Sequence, residues 1–466
     1  MYISWHRIFK HYPYFSFWYP KRLYLQPELK LQVEKMAEER FTNIKEILDG
    51  QHTGKEIGIR GWVHRTRNIG KMVFLNVRDP TGVVQAMVSS DAVESFEEVK
   101  ALLVESSVKL QGEVIEDKRA PGGFEIRVSD IEIVHAADVF PIQEDQSVEH
   151  LLENRHLWLR STYMRDILTV RSTVFGAIHE YFRDNGYKEF QSPILTPLAC
   201  EGGSTLFPVD YFDDEVYLAQ SWQLYAEAAI FGLGNIYTIA PSFRAEKSRT
   251  SRHLTEYWHA EVEAPWLQFD ELLELAEGMV CHVTKKVLEQ DADEIKNLRE
   301  GDIEYLEKVK PPFHRITYEE AISILQKSGM DVEYGADLGT PHERELTKIY
   351  DKPVFVTHYP KEIKAFYMKR AEDDSKVLGF DLLVPNVGEL IGGSERETSI
   401  DSLEERLKEE DEDTSIYSWF LDTRRYGSVP HAGFGLGVER LVMWLCDLEH
   451  IRDAIPFPRT PSRYRP

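Results

Sequence analysis

Two arginine-bearing segments of this 466-residue chain have the composition of an anion site. In SFRAEKSRTSRHLTEYWHAEVE, Arg244 is followed two positions later by Glu246, with His253 in the turn and Tyr257 on the return. A guanidinium fork holds two oxyanions together in a way that a lysine point charge cannot. In GFGLGVERLVMWL, a run of small residues leads to Arg440 at the start of a helical pattern, where the backbone can approach a ligand closely. Two carboxylates, Asp381 in GFDLLVP and Glu389 in VGELIGG, fall on adjacent strand-like segments just before it. There is no GxxxxGK[ST] loop and no βαβ rhythm, which disfavours a doubly wound nucleotide-binding fold.

Such residues need a scaffold, and the composition provides for one. Hydrophobic residues at 42% and charged residues at 29% describe a soluble globular chain and exclude disordered and collagen-like classes. Cys200, Cys281 and Cys446 are too few and too scattered for a disulfide framework or a CxxC zinc site, which fits a reducing compartment such as the cytoplasm. No run of apolar residues is long enough for a membrane span. The formal charge of -24 excludes a general nucleic-acid coat but leaves room for a local basic groove. Arg60, Arg65, Arg67, Lys71 and Arg78 crowd one hairpin, whereas the acidic run from Asp401 to Asp413 reads as a solvated helix.

Residues 1–35 read as an extension outside the folded domains, with Met36 as a candidate natural start. Residues 36–140 show five short alternating strands with one helix after the third, the layout of a five-stranded oligonucleotide-binding (OB) barrel. Residues 141–160 read as a linker with a short helix. Residues 161–466 read as an α+β domain on an antiparallel sheet flanked by helices, with an inserted subdomain near 284–342. It opens on a long amphipathic helix, TYMRDILTVRSTVFGAIHEYFRDNG.

Taken together with FQSPILTP, which contains Pro193, the two arginine segments resemble motifs 1, 2 and 3 of the class II aminoacyl-tRNA synthetases. Their order behind a barrel is similar to the subgroup that activates aspartate, asparagine and lysine, from about Phe41 to Arg463, and the tail IPFPRTP resembles its asparagine branch. The resemblance implies ligation of L-asparagine to tRNA(Asn) through an asparaginyl-adenylate, with ATP consumed to AMP and diphosphate. It implies that Arg244 bridges the α-phosphate and the amino-acid carboxylate, Glu246 meets the adenine amino group, and Tyr257 stacks on adenine. His253 and Arg440 then reach the outer phosphates, and Glu389 with Asp381 holds Mg2+. Pro193 and the first helix are expected at a homodimer interface.

The resemblance also implies the contacts to asparagine. Glu227 accepts from the side-chain amide, Arg396 in GGSERE donates to its oxygen, and Glu201 and Gln223 meet the ammonium group. Aspartate members carry a lysine where this chain has Ala226, which argues against an aspartyl or dual-specificity enzyme. In the barrel, Phe74 and Gln85 match the residues that stack on and read the central anticodon base. The intact barrel disfavours an amidotransferase derived from a synthetase, and Arg244, Glu389 and Arg440 together disfavour a silent RNA-binding paralogue.

Overall fold

The computed structural model describes residues 41–143, 145–198, 200, 206–247, 250–410 and 412–466. The expectations for the 1–35 extension, for Met36 and for Glu201 lie outside the described residues. Two compact units divide between Gln143 and Glu144.

In the first unit, β1 (Glu56–Ile69), β2 (Met72–Asp79), β3 (Gly82–Ser89), β4 (Ser107–Glu116) and β5 (Phe124–His135) close a barrel in the order β1-β2-β3-β5-β4. Strict alternation builds it: Ile57, Ile59 and Val63, then Val73, Leu75 and Val77, then Val84, Ala86 and Val88 all point into one apolar core. Closure brings β1 so near β2 that a Cβ at Gly61 would sit 2.2 Å from the Arg78 carbonyl oxygen, so only glycine fits there. The expected helix after the third strand is Phe96–Lys100.

The second unit carries β6 (Lys188–Glu189), β7 (Leu195–Thr196), β8 (Pro208–Tyr211), β9 (Asp214–Leu218), β10 (Ile236–Phe243), β11 (Glu256–Pro265), β12 (His314–Thr317), β13 (Val354–Thr357), β14 (Gly379–Val384), β15 (Gly388–Glu395) and β16 (His431–Gly437). Eight of these form a sheet in the order β12-β13-β14-β15-β16-β11-β10-β6, while β7, β9 and β8 form a small sheet. The large sheet is antiparallel except at β12/β13 and β6/β10. Helices Thr162–Asp184 and Phe269–Gln290 share a core with β11, through Val170, Val174 and Phe182 from one and Leu272, Ala276 and Met279 from the other. The Ser161 hydroxyl caps the first helix by accepting from Met164 N.

Three expectations are corrected here. The short helix expected within 141–160 is two helices, Val148–Glu153 and Arg155–Trp158, and it packs into the second unit rather than bridging to it: Arg155 is wholly buried and donates to the carbonyls of Arg452, Ile455 and Pro456, which ties the IPFPRTP tail to the domain. The inserted subdomain begins later than Thr284, which is buried within the helix Phe269–Gln290. A second core, distinct from the main helical one, forms only from Tyr318 onward, where Ile322, Leu325 and Leu346 pack with Val354 and Val356 of β13 and Leu383 of β14. The acidic run is only half solvated, because Leu403 and Leu407 lie four apart on one helix face and bury it.

Candidate active site

Strand β11 makes the site by alternation. Ala260, Val262 and Ala264 face the helical core, so Tyr257, His259, Glu261 and Glu263 face the other side of the sheet. There they line a cavity of about 870 Å³. The neighbouring β16 (HAGFGLG) pairs Gly433 with Glu263, Gly435 with Glu261 and Gly437 with His259. A Cβ at Gly433 would lie 2.2 Å from Glu263 Oε2, and one at Gly435 would lie 2.5 Å from His259 Nε2. The glycine run is therefore a bare floor between walls of functional side chains.

One end of the cavity is built to hold anions. Arg244 follows the last residue of β10; its Nε donates to the Tyr257 hydroxyl at 3.1 Å. Arg440, early in the helix Val438–Cys446, donates to the carboxylate and carbonyl of Glu389 at 3.1 and 3.0 Å. That helix is anchored from behind, because Glu439 meets Arg171 at 2.7 Å and accepts from Trp258 N at 2.9 Å. Lys364 donates to Asp381 at 2.8 Å, and Arg252 pairs with Glu343. Burial, then the charges of Arg440, Arg252 and Arg244, depress the His253 imidazole to about 4, so it is neutral at physiological pH. Its Nδ1 shares a hydrogen bond with the Thr250 hydroxyl.

The carboxylates here fit a divalent cation. Asp381 faces Gly392 across β14/β15, and a Cβ at Gly392 would sit 3.1 Å from Glu389 Oε1 and 3.6 Å from Asp381 Oδ1. Two anionic oxygens thus converge over a bare glycine, the donor set hard cations take. Burial works to raise Glu389, but Arg440, Lys364 and Arg244 outweigh it and hold the carboxyl at about 2. Burial raises Asp381, Lys364 opposes this, and the nearby Glu389 adds to it.

The other end is a closed network of charges. Arg396 lines the cavity, but its guanidinium is already bidentate with Glu263, at 3.1 and 2.8 Å, and donates to Ser394 Oγ at 2.9 Å. Glu227 is fully buried and does not line the cavity. Its carboxylate accepts from Gln223 Nε2 at 2.9 Å, from His431 Nε2 at 3.1 Å and from Arg424. Burial would raise Glu227, but Arg424, His431 and Arg396 hold it well below the usual carboxylate range. Glu261 accepts from Trp222 N at 3.0 Å and from the Ser221 hydroxyl, beside Gln223.

The structure thus brings Arg244, His253, Tyr257, Asp381, Glu389, Arg396, Arg440 and Gln223 to one cavity. Glu246 is not among the lining residues: β10 ends at Phe243, so Glu246 lies in the following loop rather than on the same strand face as Arg244. Glu227 acts from behind the wall rather than from it. Sequence reasoning missed Glu261, Glu263, Arg252, Glu343, Lys364, Arg424 and His431. The acid-bearing alternation in EYWHAEVEAP was the available signal for the first two.

On the barrel, Phe74 and Gln85 project outward, opposite Met87 and Asn76 respectively, while Val73 and Leu75 fill the core. The Arg67 guanidinium lies 5.0 Å from the Phe74 ring centre, and Gln85 Nε2 donates to Glu125 at 2.6 Å, leaving its amide oxygen to accept.

Comparison with known proteins sets the class first. Residues 147–461 match the family model for tRNA synthetases class II (D, K and N), and residues 57–134 match that for the OB-fold nucleic acid binding domain. The asparagine--tRNA ligase of Thermoplasma acidophilum is 46% identical over 91% of this chain and 100% of its own. The crystal structure of Pyrococcus horikoshii asparaginyl-tRNA synthetase complexed with asparaginyl-adenylate superposes with a TM-score of 0.89 at 48% identity, covering 92% of this chain and 100% of that one. An aspartyl-tRNA synthetase from Entamoeba histolytica shares the fold, with a TM-score of 0.81 over 96% of each chain, at only 26% identity. The chain belongs to the class II tRNA synthetases of the D, K and N group, and within it to the asparagine--tRNA ligases.

Proposed function

We propose the following division of labour in this ligase, whose reaction joins L-asparagine to tRNA through an asparaginyl-adenylate made from ATP. Adenylation is an in-line attack by one anion, the amino-acid carboxylate, on another, the α-phosphate. Little covalent chemistry falls to the protein, so positioning and neutralisation carry the rate. Arg244 bridges the two reacting groups, and its bond to Tyr257 fixes the fork beforehand. Tyr257 offers its ring to adenine, and Glu246 receives the adenine amino group. Arg440 and the neutral His253 hold the outer phosphates. Asp381 and Glu389 would hold Mg2+, whose charge neutralises the leaving diphosphate.

Arg396 donates to the amide oxygen of asparagine, while Glu227 sets the polarity of that end through Gln223 and Arg396. Gln223 and Glu201 take the ammonium group. The observation that carries the specificity is the Arg396–Glu263 pair: among the described residues, this arginine offers a donor with its charge already compensated. Aspartate would enter beside buried carboxylates and find no uncompensated cation there. Phe74 and Gln85 read the central anticodon base of tRNA(Asn). Pro193, with Ile194 and Leu195 exposed beside it, lies on an interface between two copies of a cytoplasmic homodimer.

Charging of tRNA with labelled amino acid tests this. The expected result is asparaginyl-tRNA with tRNA(Asn) and no product with aspartate; aspartyl-tRNA from the same enzyme would overturn the specificity argument.

A further inference from the structure

The segment that begins near Tyr318 contributes Asp337, Leu338 and Gly339 to the cavity lining, and with them an ionisable side chain for which the reaction above has no use. Glu343, on the helix Thr340–Thr347, is 5% exposed, yet it lines the same cavity as Arg244 and Arg440. Its partner is Arg252, which lies in the loop between β10 and β11 next to His253. Among the described residues, the hydrogen bonds of Arg252 run through Nη1: one to the Glu343 carboxylate and one, at 3.0 Å, to the Val387 carbonyl just ahead of β15. Its Nε is buried with no hydrogen-bond partner among the described residues, so the guanidinium is pinned at one corner. Gly388 makes the contact fit, since a Cβ there would lie 2.3 Å from Glu343 Oε2 and 2.6 Å from Arg252 Nη1. Gly388 also has φ of +84°, a conformation that side chains rarely adopt.

We propose that Glu343 is a positioning residue for the phosphate end of the ATP site, acting through Arg252. The loop that carries Arg252 and His253 has otherwise to choose its own conformation against a triphosphate. Glu343 and the Val387 carbonyl fix it to the turn that leads into Glu389, so that Arg252 and His253 stand opposite Arg440 before the nucleotide arrives. Ordering a loop beforehand removes an entropy cost from binding. The segment that begins near Tyr318 is, on this account, a support for the ATP site. The inference rests on the reading of the cavity as an asparagine-activating site.

ATP–diphosphate exchange with asparagine separates the two claims. Exchange in the unaltered enzyme tests the parent reading; its absence would remove both. Given exchange, Glu343→Ala should raise the KM for ATP about tenfold, the scale of one hydrogen bond to a charged group, and leave the KM for asparagine within about twofold. Glu343→Gln, which still accepts a hydrogen bond, should recover to within about threefold of the unaltered enzyme, and it serves as the variant of record if the alanine form does not fold. In an Arg252→Ala background, Glu343→Ala should add less than about twofold, because the two act as one unit. Unchanged KM for ATP in both Glu343 variants, equal rises for both substrates, or additive effects with Arg252→Ala would each overturn the proposal.

Discussion

The two units bury opposite things. The barrel interior is apolar throughout its main core, and its candidate reading residues, Phe74 and Gln85, sit on the outer surface. The catalytic unit instead sinks Glu227, Glu263, Arg396, Arg424 and His431 to a few per cent exposure or less beside its cavity. A splayed base offers a π-face and an edge, and an exposed aromatic with an amide beside it suffices to read them. An amide that must be told from a carboxylate of the same shape offers only charge and hydrogen-bond polarity, and fixed buried charges are needed to read them. Burying those charges is costly unless each is paired, which is why every one of them has a partner. The ion pairs are therefore best understood as scaffolding for the chemistry rather than as a source of stability.

If that contrast holds, the largest effect belongs to the reacting centre. Arg244→Ala should lower the rate of ATP–diphosphate exchange by about 10²–10³ or more while leaving the melting temperature nearly unchanged. Arg424→Ala should do the reverse of sparing the fold: it strands the buried Glu227 charge and should destabilise the catalytic unit by about 3–5 kcal/mol, read by denaturant unfolding. Phe74→Ala should weaken tRNA charging by the loss of one base stack, about 1–3 kcal/mol, with exchange unaltered; equal loss of both would erase the contrast between the units. Glu227→Gln should weaken asparagine activation about tenfold, because it removes a charge that orders Gln223 and Arg396 rather than a first contact. The smallest effect is a null one. With His253 held near 4, exchange between about pH 6 and 8 should follow parallel profiles in the unaltered enzyme and in His253→Asn.

The barrel was legible because its signal is local: alternation over five short segments dictates both which residues point in and where Phe74 points. The cavity arginines were legible for a similar reason, since Arg244 and Arg440 sit in short stretches whose small neighbours and turns are visible in the chain. What escaped was what depends on distant pairing. Glu227 is 197 residues from Arg424 and 204 from His431, and no periodicity joins them. Glu343 could not be linked to Arg252 from the sequence, because 91 residues separate them and no periodicity joins them. That β10 stops at Phe243, leaving Glu246 in the loop and outside the cavity lining, is a boundary the sequence does not mark. The short helix within 141–160 was legible but its packing was not, because the acceptors of Arg155 lie about 300 residues later, in the tail.

The proposed cavity of paired charges should activate asparagine and refuse aspartate. ATP–diphosphate exchange without tRNA, with each amino acid supplied alone, tests it most directly. The account predicts exchange with asparagine and none above background with aspartate. Exchange with aspartate at a comparable rate would contradict it, because the compensated Arg396 could then not be the specificity determinant.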